Sequence, residues 1–231
     1  IKKNNFSLEN EIFPRLIKKK LMFGHLFKGE RNFFIDIGIP RDLKNSKLII
    51  KRSLNKKIIF LDRDGVINYD YGYVYKKSNF KWKSDTKESI KYLNDNDYYV
   101  FVISNQSGVG RGYYSLSDVN KLHNWINEEL SKNGAHIDDF FIAPYFSESK
   151  KFGTKKELFK RKPNPGMIYM AQKKWSLNLS KSFVLGDQHS DMDLAKRLKM
   201  KSSLIKKNSN LLNVIINIEK NILSNKKSSN Q

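Results

Sequence analysis

Five short apolar runs, each followed by a stretch with helical spacing, limit this chain more than any other feature. The runs are 58–61, 98–104, 140–143, 183–185 and 203–205. Helical patterns follow at about 84–95, 117–132, 165–175, 191–199 and 210–223. In the second of these, Val119, Leu122, Ile126 and Leu130 share one face. Asn164 followed by Pro165 reads as a cap with proline in the first turn. Strands that are apolar on both faces and alternate with helices predict an α/β domain. Its core is a Rossmann-like parallel sheet of about five strands, with helices on both faces. A hydrophobic content of 39% supports a packed core of that size.

In such a sheet, ligands bind beyond the carboxyl ends of the strands. Asp62, Asp64 and Gly65 follow the first run, and Ser104, Asn105, Gln106 and Gly108 close the second. Arg161 and Lys162 come after the third, and Gly186, Asp187 and Asp191 after the fourth. Folded, these groups converge on one pocket, and each residue type has a task in phosphoryl transfer. One carboxylate can attack phosphorus and form an aspartyl-phosphate. A second, two residues on, can protonate the leaving oxygen and then activate water. Several carboxylates together need a cation, and an all-oxygen set suits Mg²⁺. Ser104 and Lys162 can hold the equatorial oxygens of the transferring group. Gly65 and Gly108 let backbone N–H groups approach the phosphate.

The segments FLDRDGVIN, ISNQSGVGRGYYS, RKPNPGM and GDQHSDMDLA resemble the motifs of the haloacid dehalogenase superfamily. Within it they are similar to the histidinol-phosphate and heptose-bisphosphate phosphatase branch, over about residues 56–206. The resemblance implies Asp62 as nucleophile and Asp64 as acid/base, with Ser104 and Lys162 on the phosphate. It implies Mg²⁺ held by Asp62, the Asp64 carbonyl and Asp187, and phosphate or substrate contacts from Asn105, Gln106, Arg111 and Arg161. It also implies a minimal cap. The expected reaction is hydrolysis of a small sugar phosphate, D-glycero-D-manno-heptose 1,7-bisphosphate going to the 1-phosphate. Histidinol phosphate and a polynucleotide 3′-phosphate are the rival substrates.

Three positions depart from that pattern. Relatives carry a Cys/His zinc loop before the lysine motif, whereas residues 144–161 contain neither Cys nor His. No zinc is therefore expected. Gln188 stands where relatives commonly have Lys, and Ser104 replaces the usual Thr while keeping the hydroxyl.

Residues 1–55 resemble the carboxyl end of a sugar-phosphate nucleotidyltransferase, through EIFPRLIKKK and FFIDIGIPRDL. A strand is expected at 32–37, with Asp36 idle or structural. That family's Gly-rich nucleotide loop is missing, so the head alone should not transfer nucleotides. The chain opens on Ile1, which reads as a truncation, and the upstream partner is expected to be the rest of a nucleotidyltransferase domain. Residues 207–231 read as one amphipathic helix and a polar tail.

The formal net charge of +21 raises nucleic acid as a partner, and a basic binding module with a dead site is the non-enzymatic alternative. The basic residues are scattered and mostly Lys, with Arg at eight positions only, which argues for solvated faces instead. No run approaches the roughly 18–20 apolar residues of a membrane span. The absence of Cys excludes disulfides and thiolate zinc sites and fits the cytoplasm. His123 is expected on a surface or in packing, and Trp82 and Trp175 in core or rim contacts.

Overall fold

The computed structural model describes residues 7–24, 38, 40–43, 46, 56–175 and 177–228, without the side chains of 181 and 221–228. It divides into two compact units, Ile1–Ser46 and Lys47–Gln231. In the first, Ser7 accepts a hydrogen bond from the Asn10 N–H (3.1 Å) and caps Leu8–Ile12, which runs on into α1 (Phe13–Lys18). Ile17 and Phe23 are exposed there, as a segment too short for its own core requires. The strand expected at 32–37, and Asp36 with it, lie outside the described residues.

The second unit carries a five-stranded sheet: β1 (Lys57–Leu61), β2 (Tyr98–Asn105), β3 (Asp139–Ala143), β4 (Ser182–Gly186) and β5 (Lys201–Leu204). The order is β3-β2-β1-β4-β5 and every pairing is parallel. The register Ile59↔Val100 and Ile59↔Phe183 puts β1 at the centre. Successive side chains on a strand point to opposite faces, so one apolar run feeds two cores. Ile59, Leu61, Val100, Val102, Phe183 and Leu185 pack on one side, and Ile58, Phe60, Phe101, Ile103 and Val184 on the other. This explains why the strands read as continuous rather than alternating.

Helices cover the sheet: α2 (Thr86–Asp95), α4 (Leu116–Ser131), α6 (Gly166–Trp175), α7 (His189–Arg197) and α8 (Leu211–Ser228). Two short ones, α3 (Ser107–Gly110) and α5 (Lys155–Lys160), were not legible in the apolar pattern. Helix α4 starts at a capping box in which Ser115 and Asp118 satisfy each other's backbone N–H. Its Val119, Leu122, Ile126 and Leu130 are all buried, as their spacing requires. Trp82 and Trp175 pack against the two cores. The C-terminal helix is more than a tail. Leu211 and Ile215 are in the core, and Glu219 accepts hydrogen bonds from Tyr92 (2.7 Å), Tyr98 (2.7 Å) and Lys57 (3.1 Å). The compact body therefore continues past residue 206. Strand β5 begins two residues before its expected start at 203, because Lys201 and Ser202 carry no apolar signal at this exposed edge. Among the described residues, no helix is long and apolar enough to cross a membrane.

Candidate active site

The carboxyl ends of β1, β2 and β4 open into a cavity of about 510 Å³. Asp62, Asp64, Ser104, Asn105, Gln106, Arg161, Lys162 and Asp187 all line it. Arg111 does not line it. It is exposed, and its guanidinium lies 3.9 Å from the centre of the Phe146 ring. That contact ties it to the 144–154 loop.

Asp62 directly follows β1, and its N–H donates to the Leu185 carbonyl (2.9 Å), so the sheet fixes its position. The Arg63 N–H donates to Asp62 Oδ1 (2.7 Å). Lys162 Nζ sits 2.7 Å from Asp62 Oδ2 and 2.7 Å from Asp191 Oδ1, and all three residues are buried. Two nearly dry carboxylates thus share one ammonium. Burial pushes the Asp62 pKa up from 3.8 to about 7, with Lys162 opposing and Asp191 and Asp64 adding to the rise. Burial alone would lower Lys162, but Asp62 and Asp191 outweigh it and hold the ammonium protonated. Burial also raises Asp187, chiefly against its hydrogen bond from Gln188 Nε2 (3.0 Å).

A carboxylate that binds protons more tightly folded than unfolded gives its stability at low pH and loses it on the way up. For Asp62 that window runs from about 4 to about 7. Asn mimics the protonated form. In metal-free protein, Asp62→Asn is therefore expected to gain roughly 10 °C in Tm over wild type between pH 4 and pH 7. A constant difference across that range would show that Asp62 does not titrate there.

Asp64 is gripped by donors. Arg63 Nη2 reaches both its oxygens (3.0 and 2.8 Å), Asn68 Nδ2 donates to Oδ1 (2.9 Å) and Gln106 Nε2 to Oδ2 (3.0 Å). Gln106 also donates to Ser104 Oγ (2.8 Å) and accepts from the Tyr114 hydroxyl (2.8 Å). It links the second carboxylate to the hydroxyl and is a connector more than a phosphate ligand. Asn105 grips the Lys162 backbone from both sides, accepting its N–H (3.0 Å) and donating to its carbonyl (3.3 Å). This is how a loop lysine, 57 residues away in the chain, is delivered to the end of β1. Arg161 is half-buried, and its Nη1 has no hydrogen-bond partner among the described residues. An unpaired buried guanidinium nitrogen on a cavity wall suits an anionic ligand.

Three carboxylates, Asp62, Asp187 and Asp191, each offer an oxygen, and these oxygens lie within 4.8 Å of one another. They fit a hard divalent cation such as Mg²⁺. The resemblance implied Asp62, the Asp64 carbonyl and Asp187. Among side chains Asp191 stands with Asp62 and Asp187, while the Asp64 carboxylate is engaged by Arg63, Asn68 and Gln106. Gly65 makes room for this group. Its φ is +84°, and a Cβ there would meet Asp187 Oδ2 at 2.2 Å.

Three contributors escaped the sequence reading, and a fourth, Asp191, was expected at the pocket but without its partner. Asp191 pairs with Lys162 from the first turn of α7, and Tyr73 stands on the cavity wall. Lys83, buried, donates to the Gly65 carbonyl (3.0 Å) and props the loop behind the acidic group. Arg63 is the largest fully buried side chain among the described residues. Only Asp191 carried a signal, the four-residue spacing from Asp187 at a helix start. His189, between the two aspartates, does line the cavity.

The family described as polynucleotide kinase 3 phosphatase matches residues 57–225. A D-glycero-beta-D-manno-heptose-1,7-bisphosphate 7-phosphatase of Rhodopseudomonas palustris is 44% identical over 137 residues, covering 59% of this chain and 76% of the relative. A D-glycero-alpha-D-manno-heptose-1,7-bisphosphate 7-phosphatase of Photorhabdus laumondii is 37% identical over 141 residues, covering 61% and 77%. Among solved structures, D,D-heptose 1,7-bisphosphate phosphatase from B. bronchiseptica, complexed with magnesium and phosphate, superposes with a TM-score of 0.57 at 27% identity, covering 64% of this chain and 79% of that one. With its parallel sheet and a carboxylate-rich cavity at the strand ends, the chain belongs to the polynucleotide kinase 3 phosphatase family and, with these relatives, to the D,D-heptose-1,7-bisphosphate phosphatases of the haloacid dehalogenase superfamily.

Proposed function

We propose that this chain is a phosphoric monoester hydrolase acting on a small sugar phosphate, D-glycero-D-manno-heptose 1,7-bisphosphate, from which it removes the 7-phosphate. The observation that carries the reading is the meeting of Asp62, Asp64, Ser104, Lys162 and Asp187 around one cavity. An Asp62 oxygen attacks phosphorus while the ester P–O bond breaks. Asp64 gives its proton to the departing sugar oxygen. It then takes a proton from water, whose oxygen attacks the aspartyl-phosphate and releases inorganic phosphate. Lys162 and the Ser104 hydroxyl hold the non-bridging oxygens. Asp62, Asp187, the Asp64 carbonyl and the neighbouring Asp191 would hold Mg²⁺, which would supply positive charge against the phosphate. The half-buried Arg161 and the wall residues Asn105 and Tyr73 receive the rest of the substrate.

Zinc has no part in this reading. The 144–154 loop is knitted by its own backbone, with Phe146 N–H donating to Phe152 O (3.3 Å), Ser149 N–H to Phe146 O (3.0 Å) and Gly153 N–H to Ser149 O (2.7 Å). Thr154 then caps α5 by accepting the Glu157 N–H (3.3 Å). The reading places the protein in the cytoplasm, and takes residues 1–55 as derived from a sugar-phosphate nucleotidyltransferase whose other part lies upstream.

Phosphate release is expected to be fastest from heptose 1,7-bisphosphate in a panel with both of its anomers, histidinol phosphate and 3′-phosphorylated DNA. The DNA is included because of the family's description and the charge of +21. Chelation should stop turnover, and Mg²⁺ alone should restore it. Fastest release from the DNA, or recovery with Zn²⁺ only, would overturn the corresponding part of the proposal.

A further inference from the structure

A buried histidine sits behind the second carboxylate, and none of the roles above uses it. His123, on α4, is 3% exposed. Its ring stacks on that of Phe140 in β3, with 4.2 Å between centroids and 15° between planes. Its Nε2 lies 3.4 Å from Arg63 Nη1. A guanidinium carries donors only, so Nε2 must accept and the ring proton must sit on Nδ1. Burial first, and the charge of Arg63 second, push the His123 pKa down to about 3. The ring is therefore neutral wherever the enzyme could work, and its lone pair is always available.

The same guanidinium faces Asp64 with its opposite edge. Nε and Nη2 donate to Asp64 Oδ1 (3.3 and 3.0 Å), and Nη2 also reaches Oδ2 (2.8 Å) and the Val74 carbonyl. Arg63 is planar, rigid at its head and fully buried, so it cannot rotate without losing partners on both edges. Phe140, His123, Arg63 and Asp64 thus form a chain of one ring contact and successive hydrogen bonds that begins in the sheet and ends at the cavity.

We propose that His123 is a positioning residue for proton transfer: by accepting an N–H of Arg63 it fixes the guanidinium, and through it the direction in which Asp64 presents its carboxyl to the ester oxygen. The inference rests on the phosphatase reading above and deepens it. Only one half-reaction exposes the effect clearly. As the Asp62–phosphorus bond forms and the ester P–O bond breaks, the Asp64 proton moves to the departing oxygen. A sugar alkoxide leaves poorly without that proton. A p-nitrophenolate leaves readily without it.

The experiment compares wild type, His123→Gln and His123→Phe on heptose 1,7-bisphosphate and on p-nitrophenyl phosphate. Gln keeps an acceptor for Arg63, and Phe keeps the stack but not the acceptor. The expected result for His123→Phe is a fall in kcat of about 30-fold on the sugar phosphate with KM nearly unchanged, and a fall below about threefold on the aryl ester. His123→Gln should recover most of the loss. Equal losses on both esters, or full sugar-phosphate activity in the Phe variant, overturn the proposal. Should the Phe variant not fold, the wild-type imidazole decides: ¹⁵N shifts must show Nε2 unprotonated, and a proton on Nε2 overturns the proposal. Wild-type protein inactive on both esters would instead refute the phosphatase reading itself, and this inference with it.

Discussion

Asp62→Asn is expected to lower turnover by about 10⁴-fold on every phosphate ester tested, including p-nitrophenyl phosphate, while the protein keeps its fold. The amide cannot form the acyl-phosphate linkage, so no leaving group, however good, rescues the reaction. The fold survives because the substitution removes a charge from a buried place. Lys162 keeps its second partner, Asp191, 2.7 Å away. The Arg63 N–H keeps an acceptor in the amide oxygen. Circular dichroism and melting should match wild type near pH 4. Rapid quench with ³²P-labelled substrate should find label on the wild-type protein and none on the variant. Residual activity above about 1% of wild type would transfer the nucleophile's part to another group.

Lys162→Met should do damage of a different kind. It leaves Asp62 and Asp191, both buried, without the ammonium they share. Removing one partner from a buried ion pair strands the other charge, at a cost of about 3–5 kcal/mol. For a chain of this size that is a fall in Tm of roughly 10 °C. Turnover should fall by about 10²- to 10³-fold as well, since a fixed cation on the phosphate is lost. The sign of the pH effect separates this mechanism from simple misfitting. With the ammonium gone, Asp62 holds its proton still more tightly, so the deficit should widen as pH rises above about 7, where wild-type Asp62 has lost its proton, and stay level below that. Differential scanning calorimetry of metal-free protein at about pH 6 and about pH 9 measures this directly. A deficit equal at both would point to lost packing around the four-carbon stem.

Much of this architecture was written locally. Apolar runs such as Ile58–Leu61 declared buried strands, and the polar residues that close them declared which end holds the chemistry. What stayed hidden depended on distance along the chain. Nothing near Asp191 indicates that its partner is Lys162, because Asn105 brings the two together from a third segment. Arg63 lies between two aspartates, where any reader takes it for a surface charge. Only the folded core shows it filled on every side, by Asp64, Val74 and His123. His123 follows Leu122 on α4, and its place on the helix left both surface and packing open. Helix α5 has a largely charged sequence, KKELFK, and is set by the Thr154 cap rather than by an apolar stripe. The contact of Arg111 with the Phe146 ring also carried no signal in the sequence, because it joins two separate loops.

The main-chain knitting of residues 144–154 bears on how this enzyme meets chemical stress. A rim built on thiolates fails when peroxide oxidises sulfur or when a chelator strips its ion. Here the turns are closed by amides, and the chain has no thiol to lose. Under the proposed reading, the wall beside the acidic cavity is expected to hold its shape through an oxidant pulse, since main-chain hydrogen bonds and not sulfur close its turns.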